Sequence, residues 1–284
     1  MKRKKRSHFY EVWRQLCKNK LAIAGLAVLI LLVLVAIFAH WIAPHQYMTQ
    51  DGSKSFAGPS AQHLLGNDRF GRDILSRLIY GTRASLQLGF VSVAIAAVIG
   101  IPLGAVSGYF GKQADFVVMR VLDIYQAIPM ILLCMVLVAV LGPNLENAIL
   151  ALGISTAPGF ARMMRASVLT VRDKEFIEAA KAIDASSFRI IVKHVIPNAI
   201  SPMIVQITMG VGTAILLGAG LSFIGLGVQP PTPEWGSMVS EARNYLRQNP
   251  TLALYPGVCI MLSVLACNLL GDGLRDALDP RQKN

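Results

Sequence analysis

The chain has 284 residues, of which 54% are hydrophobic and only 15% are charged, whereas a soluble domain carries about 25% charged residues. Lysine and arginine number 27 against 16 acidic residues, so the formal net charge is +11, while the mean hydropathy is +0.53. This composition excludes an ordinary soluble domain, predicts an all-α integral membrane protein and removes nucleic acid as the reason for the basic charge.

Six apolar runs predict helices that cross a hydrocarbon core about 30 Å thick. We expect these spans at residues 21–42, 86–110, 121–141, 148–161, 200–223 and 251–270. The fourth run is short and contains glycine, and it counts as a span because the charge distribution requires one there. The first run is longer than the 7–15 apolar residues of a signal peptide, so it predicts an uncleaved span.

The distribution of basic residues places both termini in the cytoplasm, since lysine and arginine resist translocation. With the N-terminus inside, the outer segments hold only Lys54, Arg69, Arg72, Arg77, Arg83, Arg243 and Arg247, which leaves 20 of the 27 basic residues in the cytoplasm. The predicted organisation is a basic cytoplasmic leader at 1–20, a first span at 21–42, an extracytoplasmic segment at 43–85, a five-helix core at 86–271 and a cytoplasmic tail at 272–284.

Proline and glycine indicate where the predicted spans bend or pack. We expect Pro102 to interrupt the second span and Pro129 to interrupt the third. Four glycines crowd the fifth span, namely Gly210, Gly212, Gly218 and Gly220. This pattern indicates either close helix packing, which we favour, or the lining of a transport path.

Side chains that carry chemistry are sparse in the predicted spans. No ionisable group falls near the membrane midplane, which argues against an ion-coupled secondary carrier and against an intramembrane enzyme. His40, His45 and His63 lack the HxxxH spacing of a helical metal site, so we expect neither a catalytic residue nor a metal ligand. Nothing matches the phosphate-binding pattern GxxxxGK[ST], so energy for active transport would come from another chain.

The predicted cytoplasmic segment 162–198 is patterned as two short helices. The first begins near Glu175, Asp184 supplies a left-handed turn, and a serine at 186 or 187 caps the second helix. One side of the second helix carries Phe188, Ile191, Val192 and Val195, and Pro197 is expected to end it. An amphipathic helix of this kind either lies on the bilayer or docks into a groove of a cytoplasmic partner.

Two motifs in this segment resemble the EAA loop of ABC importer permeases, and we use that name for residues 162–198. The motifs are Glu178-Ala179-Ala180 and His194-Val195-Ile196-Pro197-Asn198. The resemblance implies a coupling helix that is received by an ATP-binding subunit, formed here by Glu178, Ala179, Ala180, Asp184, Ala185, Ser186 and Pro197. Asp184 stands where the family usually has glycine.

Three further stretches resemble the C-type permease of dipeptide, oligopeptide and nickel importers. They are LGNDRFGRDILSR at 65–77, LSFIGLGVQPPTPEWG at 221–236 and NLLGDGLRDALDPR at 268–281. The resemblance implies a type I ABC importer permease of the bacterial cytoplasmic membrane, with six transmembrane helices and no enzymatic activity of its own. Its implied partners are a B-type permease that completes a heterodimer, two ATP-binding subunits that use ATP and magnesium, and an extracytoplasmic solute-binding protein.

The resemblance leaves the solute open, and peptides are the first choice because no cluster of metal-binding side chains is evident in the sequence. Nickel or another chelated metal and a glutathione-like solute are alternatives within the same machinery. A more distant alternative is a secondary carrier that works alone. We expect this chain itself to bind no cofactor.

Two groups of residues on the predicted outer side are candidates for contact with the binding protein or for an outer gate. The first group is Arg69, Arg72, Asp73 and Arg77, which with Asp68 can instead form salt bridges that hold an interfacial helix. The second group is Pro230, Pro231 and Trp235, in a loop that suits a lid or a docking ridge because proline lowers its ordering entropy. Trp235 can alternatively serve as an interfacial anchor.

Overall fold

A computed structural model describes residues 8–278 of the protein, with side chains from Tyr10 onward. Every regular element in that range is helical, and the only extended pairing there is an isolated bridge between Asn67 and Asp73. The helices are α1 (His8–Leu16), α2 (Lys20–Ile37), α3 (Ala39–Ile42), α4 (Ile74–Phe110), α5 (Lys112–Gln126), α6 (Met130–Leu141), α7 (Leu145–Leu169), α8 (Glu175–Ala182), α9 (Ser187–Ile190), α10 (Ile196–Ala199), α11 (Ser201–Phe223), α12 (Trp235–Ala242) and α13 (Thr251–Leu278). Residues 1–7 of the predicted leader and 279–284 of the predicted tail lie outside the described range.

Four of these helices, α2, α4, α11 and α13, are long and apolar enough to cross a membrane. Helices α5 and α6 qualify as a fifth span if they count as one, with a bend of 79° at the break between them. Pro129 lies at that break, immediately before Met130, so the predicted interruption of the third span is confirmed. The described residues therefore contain four or five apolar spans.

Helix α4 contradicts the predicted interruption at Pro102. It runs without a break from Ile74 to Phe110 with Pro102 inside it, and its 37 residues make it about 55 Å long. A proline within a membrane helix is tolerated where neighbouring helices and local adjustments satisfy the freed backbone groups. The helix also begins before the predicted residue 86, because Asp73 caps its N-terminus by accepting the Ser76 amide at 2.7 Å.

The predicted fourth span is part of a longer helix, α7, which packs along α4. Asn144 caps α7 by accepting the Asn147 amide at 2.7 Å. Two glycines of α4 permit the close approach, since a β-carbon at Gly100 would lie 2.6 Å from the Ala157 carbonyl oxygen and one at Gly104 would overlap the Ala161 carbonyl. Small residues four positions apart, such as Gly100 and Gly104, are typical of tightly packed membrane helices.

The glycines of α11 differ from one another in their surroundings. A β-carbon at Gly212 would lie 3.0 Å from the Cys267 side chain of α13, whereas Gly220 has nothing within 4 Å. A β-carbon at Gly218 would lie 3.1 Å from the Leu88 side chain of α4, so part of the glycine-rich fifth span packs closely as predicted, although a β-carbon at Gly104 would approach α7 more closely still. The residues between α7 and α11 join the same core, because Ile177 and Val195 pack in one apolar cluster with Phe160 and Ile215.

Candidate functional site

The EAA loop is anchored by apolar side chains and presents its charged motif residue to solvent. Ile177 and Ala180 of α8 are buried, as is Ile190 at the end of α9. Glu178 and Ala179 are exposed between them. The alternation follows from the helical period, which turns adjacent motif residues to different sides.

The turn between α8 and α9 has the predicted geometry. Asp184 adopts a φ of 56°, the left-handed conformation that glycine usually supplies at this position of a helix end. The Ala185 amide donates to the Ala180 carbonyl at 3.2 Å and the Asp184 amide donates to the Lys181 carbonyl at 3.0 Å. Ser186 then caps α9 by accepting the Arg189 amide at 3.4 Å. The predicted left-handed turn and serine cap are confirmed.

The second helix of the loop differs from the prediction in two respects. Ile191 and Val195 are buried while Phe188 and Val192 are exposed, so the four apolar residues do not share one environment. Residues Ile191–Val195 form a π-helical turn, which shifts the register between α9 and α10. Pro197 does not end the helix as predicted, because it lies in the first turn of α10, where a missing N–H group costs little.

Large apolar side chains are exposed on the same loop. Ile183 is 80% exposed and Phe188 is 77% exposed, and Phe176 at the start of α8 is also exposed. Exposed apolar groups of this size mark a protein or membrane contact when they cluster. We use the name EAA face for the exposed residues Phe176, Glu178, Ile183 and Phe188.

Polar contacts connect the EAA loop to the end of α4. The Arg172 guanidinium donates to the Gly108 carbonyl at 3.1 Å, and the Lys181 ammonium lies 5.8 Å from the centre of the Tyr109 ring. These contacts attach the loop to α4, which is one continuous helix from Ile74 to Phe110.

A central cavity of about 750 Å³ opens where α5 and α6 bend apart, and α4, α7 and α11 complete its wall. Its lining includes the polar side chains of Gln126, Gln206 and Thr213. It also includes an ion pair, in which the Arg162 guanidinium donates to the Asp123 carboxylate at 2.6 Å. These two side chains are 48% and 50% exposed, so they can reach a solute in the cavity.

Two of the three arginines of the predicted outer group, Arg72 and Arg77, form ion pairs inside the protein. Arg72 and Arg77 are 2% and 1% exposed. Arg72 contacts both Asp68 and Glu241 at 2.6 Å, while Arg77 lies 3.6 Å from Asp68 and 3.3 Å from Glu241. We call these four residues the arginine cluster. It joins the start of α4 to the end of α12, and Arg69 beside it is exposed.

The stretch 221–236, from the end of α11 to the start of α12, also divides into exposed and buried parts. Pro230 and Pro231 are exposed, but Trp235 is fully buried and its indole donates to the Leu78 carbonyl at 3.2 Å. The indole is therefore a packing residue between α12 and α4 rather than an interfacial anchor. Asp73, from the first outer group, is likewise buried and caps α4.

Glu234 binds α12 to α4 from a buried position. Its Oε1 atom accepts the Ser85 hydroxyl at 3.1 Å and the Gly236 amide at 2.8 Å, and its Oε2 atom accepts the Ser237 amide at 2.8 Å. Burial raises the pKa of this carboxyl above its ordinary value, and the hydrogen bonds oppose that shift only in part. Glu234 is thus the N-cap of α12 and binds its proton more tightly than an exposed glutamate does.

Several of these residues were missed by sequence reasoning. Asp123 was placed near the inner end of a span without its Arg162 partner, and Glu241 was not connected with the arginines because it is 169 residues from Arg72. The spacing of Gly100 and Gly104 is a signal that could have identified the α4–α7 contact, since glycines four apart allow helices to approach closely.

Comparison with known proteins gives consistent matches along almost the whole chain. Residues 100–284 match the family described as "Binding-protein-dependent transport system inner membrane component" and residues 7–59 match the "N-terminal TM domain of oligopeptide transport permease C". The dipeptide transport system permease protein DppC of Alkalihalophilus pseudofirmus is 48% identical over 98% of this chain and 91% of its own length. The di/tripeptide transport system permease protein DppC of Pseudomonas aeruginosa is 44% identical over 96% of this chain and 92% of its own.

Two further matches come from a different solute group and from a solved structure. The glutathione transport system permease protein GsiD of Escherichia coli O6:K15:H31 is 45% identical over 98% of this chain and 92% of its own length. A chain in a structure of the MetNI methionine ABC transporter has a TM-score of 0.60 and 24% identity, covering 72% of this chain and 98% of that chain. The match to the methionine transporter structure indicates a shared helical fold.

Proposed function

The chain belongs to the family of binding-protein-dependent transport system inner membrane components, and we propose that it is the C-type half of a two-permease pore that imports peptides. The single observation that carries the proposal is the near full-length similarity to dipeptide and di/tripeptide permeases. As a transport subunit the chain performs no chemistry and binds no cofactor, and ATP with magnesium is used by partner subunits. A B-type permease completes the pore, and an extracytoplasmic binding protein delivers the solute.

The proposed topology has six spans, with both termini in the cytoplasm of a bacterium and the chain in its inner membrane. It counts the bent pair α5–α6 as a fifth span and adds α7 as the sixth, since α7 is 25 residues long and packs along α4 within the bundle. The proposed order is leader 1–20, first span 21–42, extracytoplasmic segment 43–85, core 86–271 and tail 272–284. The excess of basic residues in the segments assigned to the cytoplasm supports this orientation.

The EAA face is the proposed contact with an ATP-binding subunit. Ile183 and Phe188 supply apolar area, and Glu178 supplies a charge for a basic partner group. Ala179, Ala180, Ala185, Ser186 and Pro197 shape the helices, and Asp184 sets the turn between them. Closure of the ATP-binding subunits would then move α8, and the contacts of Arg172 and Lys181 with the end of α4 would pass that movement to the spans.

The central cavity is the proposed part of the transport path that this subunit lines. Its bent helix pair offers a hinge, and the Asp123–Arg162 pair offers one charge of each sign to the termini of a zwitterionic peptide. On the opposite end, the exposed residues Arg69, Pro230 and Pro231 are the proposed docking surface for the binding protein. Arg72 and Arg77 support that surface from within through the arginine cluster.

The proposal is tested by reconstituting the chain with its B-type permease and ATP-binding subunits in liposomes and adding the binding protein loaded with a labelled dipeptide. The expected result is dipeptide accumulation that requires ATP and all subunits. Accumulation without the ATP-binding subunits would contradict the proposal and support a secondary carrier. Competition by unlabelled oligopeptide, glutathione and a nickel chelate ranks the remaining solutes, and inhibition by glutathione alone would favour the solute of the 45% identical relative.

A further inference from the structure

Three metal-binding side chains meet in the segment before α4, apart from the EAA loop, the central cavity and the arginine cluster. His45 follows α3, His63 lies in the loop that leads to α4, and Asp73 caps α4. One ligand atom from each of the three lies within 4.8 Å of the others. We propose that His45, His63 and Asp73 bind one divalent transition-metal ion of the Zn²⁺ class, independently of the transported solute.

The spacing of the ligand atoms fits such an ion. Bonds from Zn²⁺ to nitrogen and carboxylate oxygen are about 2.0–2.2 Å long, so two ligands of one ion lie at most about 4.4 Å apart. The Nδ1 atom of His63 is 3.0 Å from the Oδ1 atom of Asp73, which suits adjacent ligands of one ion. Small side-chain rotations bring in the third ligand, because the imidazole rings of His45 and His63 are already 4.6 Å apart between centres.

Hydrogen bonds hold His45 in a form that can bind a metal. Its Nε2 atom lies 2.8 Å from the Gln62 carbonyl oxygen, and a carbonyl only accepts, so Nε2 carries the proton. The lone pair of the neutral ring is therefore on Nδ1. A ring nitrogen that donates to a carbonyl while the other binds the ion is the usual arrangement around histidine ligands.

Asp73 and His63 can accept the ion without losing the helix cap. The Oδ2 atom of Asp73 accepts the Ser76 amide at 2.7 Å, which leaves Oδ1 for the metal. Without metal, the Nδ1–H group of His63 donates to Oδ1. When the ion binds between these atoms, the single proton of the neutral ring moves from Nδ1 to Nε2, and water supplies the fourth ligand of a tetrahedral site.

The surroundings favour a positively charged ion over an empty cluster. The side chains of His63 and Asp73 are 12% and 2% exposed, so the carboxylate is shielded from solvent and pairs with the imidazole of His63. An ion at this point would tie the segment after α3 and the loop at 60–63 to the start of α4. It would thus fix the chain close to the arginine cluster, which also begins at the start of α4.

The test is zinc binding by the full chain, purified in mild detergent with a tag that lacks histidine and stripped of metal with a chelator. Isothermal titration with Zn²⁺ and the visible absorption of a Co²⁺-loaded sample are compared for the unaltered chain and for His45→Ala, His63→Ala and Asp73→Asn. Asparagine retains the capping oxygen at position 73 but loses the charge. His40→Ala is the matched control, because His40 lies nearby in sequence and bonds the Tyr80 hydroxyl instead.

We expect about one Zn²⁺ per chain, a tetrahedral Co²⁺ spectrum and affinity lowered at least about tenfold in each of the three variants. The His40→Ala variant should bind as the unaltered chain does, and added Zn²⁺ should raise the melting temperature of both. No saturable binding would overturn the proposal, as would binding that survives both His45→Ala and His63→Ala. Peptide uptake is not part of the readout, so this result stands apart from the proposed transport function.

Discussion

The Arg162 guanidinium of α7 donates to the Asp123 carboxylate of α5 across 2.6 Å at the wall of the central cavity. The two residues are 39 positions apart in the sequence and belong to different helices. Because both side chains are about half exposed, their pairing contributes only about 0–1 kcal/mol to the free energy of unfolding. The pair therefore has more scope to act on a charged solute than to stabilise the fold.

Reversing either charge, by Asp123→Arg or Arg162→Asp, is expected to lower peptide uptake about tenfold, because two like charges then face each other at the cavity wall. The double exchange restores opposite charges and is expected to recover most of the uptake. Uptake into proteoliposomes and the melting temperature are measured together. Arg120→Asp is the control, since Arg120 also lies on α5 but packs on Phe116 instead of lining the cavity. A double exchange as inactive as the single variants would exclude action as a pair.

Glu178→Lys is expected to insert and fold but to separate ATP hydrolysis from uptake, because a repulsive charge replaces the proposed docking charge on the EAA face. The reconstituted complex should then hydrolyse ATP with little peptide accumulation. Glu175→Lys is the matched control, since both glutamates are exposed on α8 and carry the same charge. Equal losses of uptake in the two variants would indicate a general effect of charge on α8 rather than a specific contact of Glu178.

Gly104→Ala is expected to destabilise the chain by about 1–3 kcal/mol, since the added β-carbon overlaps the Ala161 carbonyl and forces α4 and α7 apart. Gly220→Ala should be neutral or stabilising by up to about 1 kcal/mol, because that glycine has open space around it and alanine favours a helix. Melting temperatures in detergent report the difference. An unchanged melting temperature for Gly104→Ala would contradict the close α4–α7 contact.

Asp184→Gly is expected to retain coupled transport and to stabilise the turn by up to about 1 kcal/mol, because glycine adopts a positive φ without steric cost. Asp184→Val should instead weaken the turn, since a branched β-carbon is unfavourable in the left-handed conformation. The melting temperature and the ratio of uptake to ATP hydrolysis are the measurements. A complete loss of coupling in Asp184→Gly would reveal an ion-pair role for the Asp184 carboxylate.

The raised pKa of Glu234 predicts a pH dependence of stability. The folded chain holds this proton more tightly than the unfolded chain, whose pKa is near the ordinary value of 4.5. The stabilisation of the folded chain by the proton on Glu234 is therefore fully present below pH 4.5, and it is lost as the pH rises through the folded-state pKa. Glu234→Gln lowers stability overall but should show a smaller decline of melting temperature from acidic to neutral pH. The exposed Glu146→Gln control should keep the slope of the unaltered chain.

Local features of this protein could be predicted from the sequence because they depend on neighbouring residues. The left-handed turn at Asp184 and the cap at Ser186 follow from side-chain chemistry within a few positions. The break at Pro129 follows from its missing N–H group. The same local rule failed at Pro102, where α4 continues, because neighbouring membrane helices can compensate for one lost backbone bond.

Partners distant in the sequence could not be predicted in this way. Burial of Arg72 depends on Glu241 of α12, burial of Trp235 depends on the Leu78 carbonyl of α4, and neither pairing leaves a periodic signal. The burial of Ile191 and the exposure of Phe188 likewise depend on how the EAA loop packs against the bundle. The amino-acid types of Arg72 and Trp235 indicated a docking surface or a membrane interface, whereas helix packing buries both side chains.

The membrane class, the apolar segments and the family can be read from the amino-acid sequence alone, because a bilayer imposes length and hydropathy on every span and the motifs are contiguous. The lining of the central cavity, the burial of Arg72 and Arg77 and the meeting of His45, His63 and Asp73 emerge only from the folded chain. Each of these sites is assembled from segments that are separate in the sequence. Their approach depends on the packing of whole helices, such as α4 on α7, and not on the local pattern of any one segment.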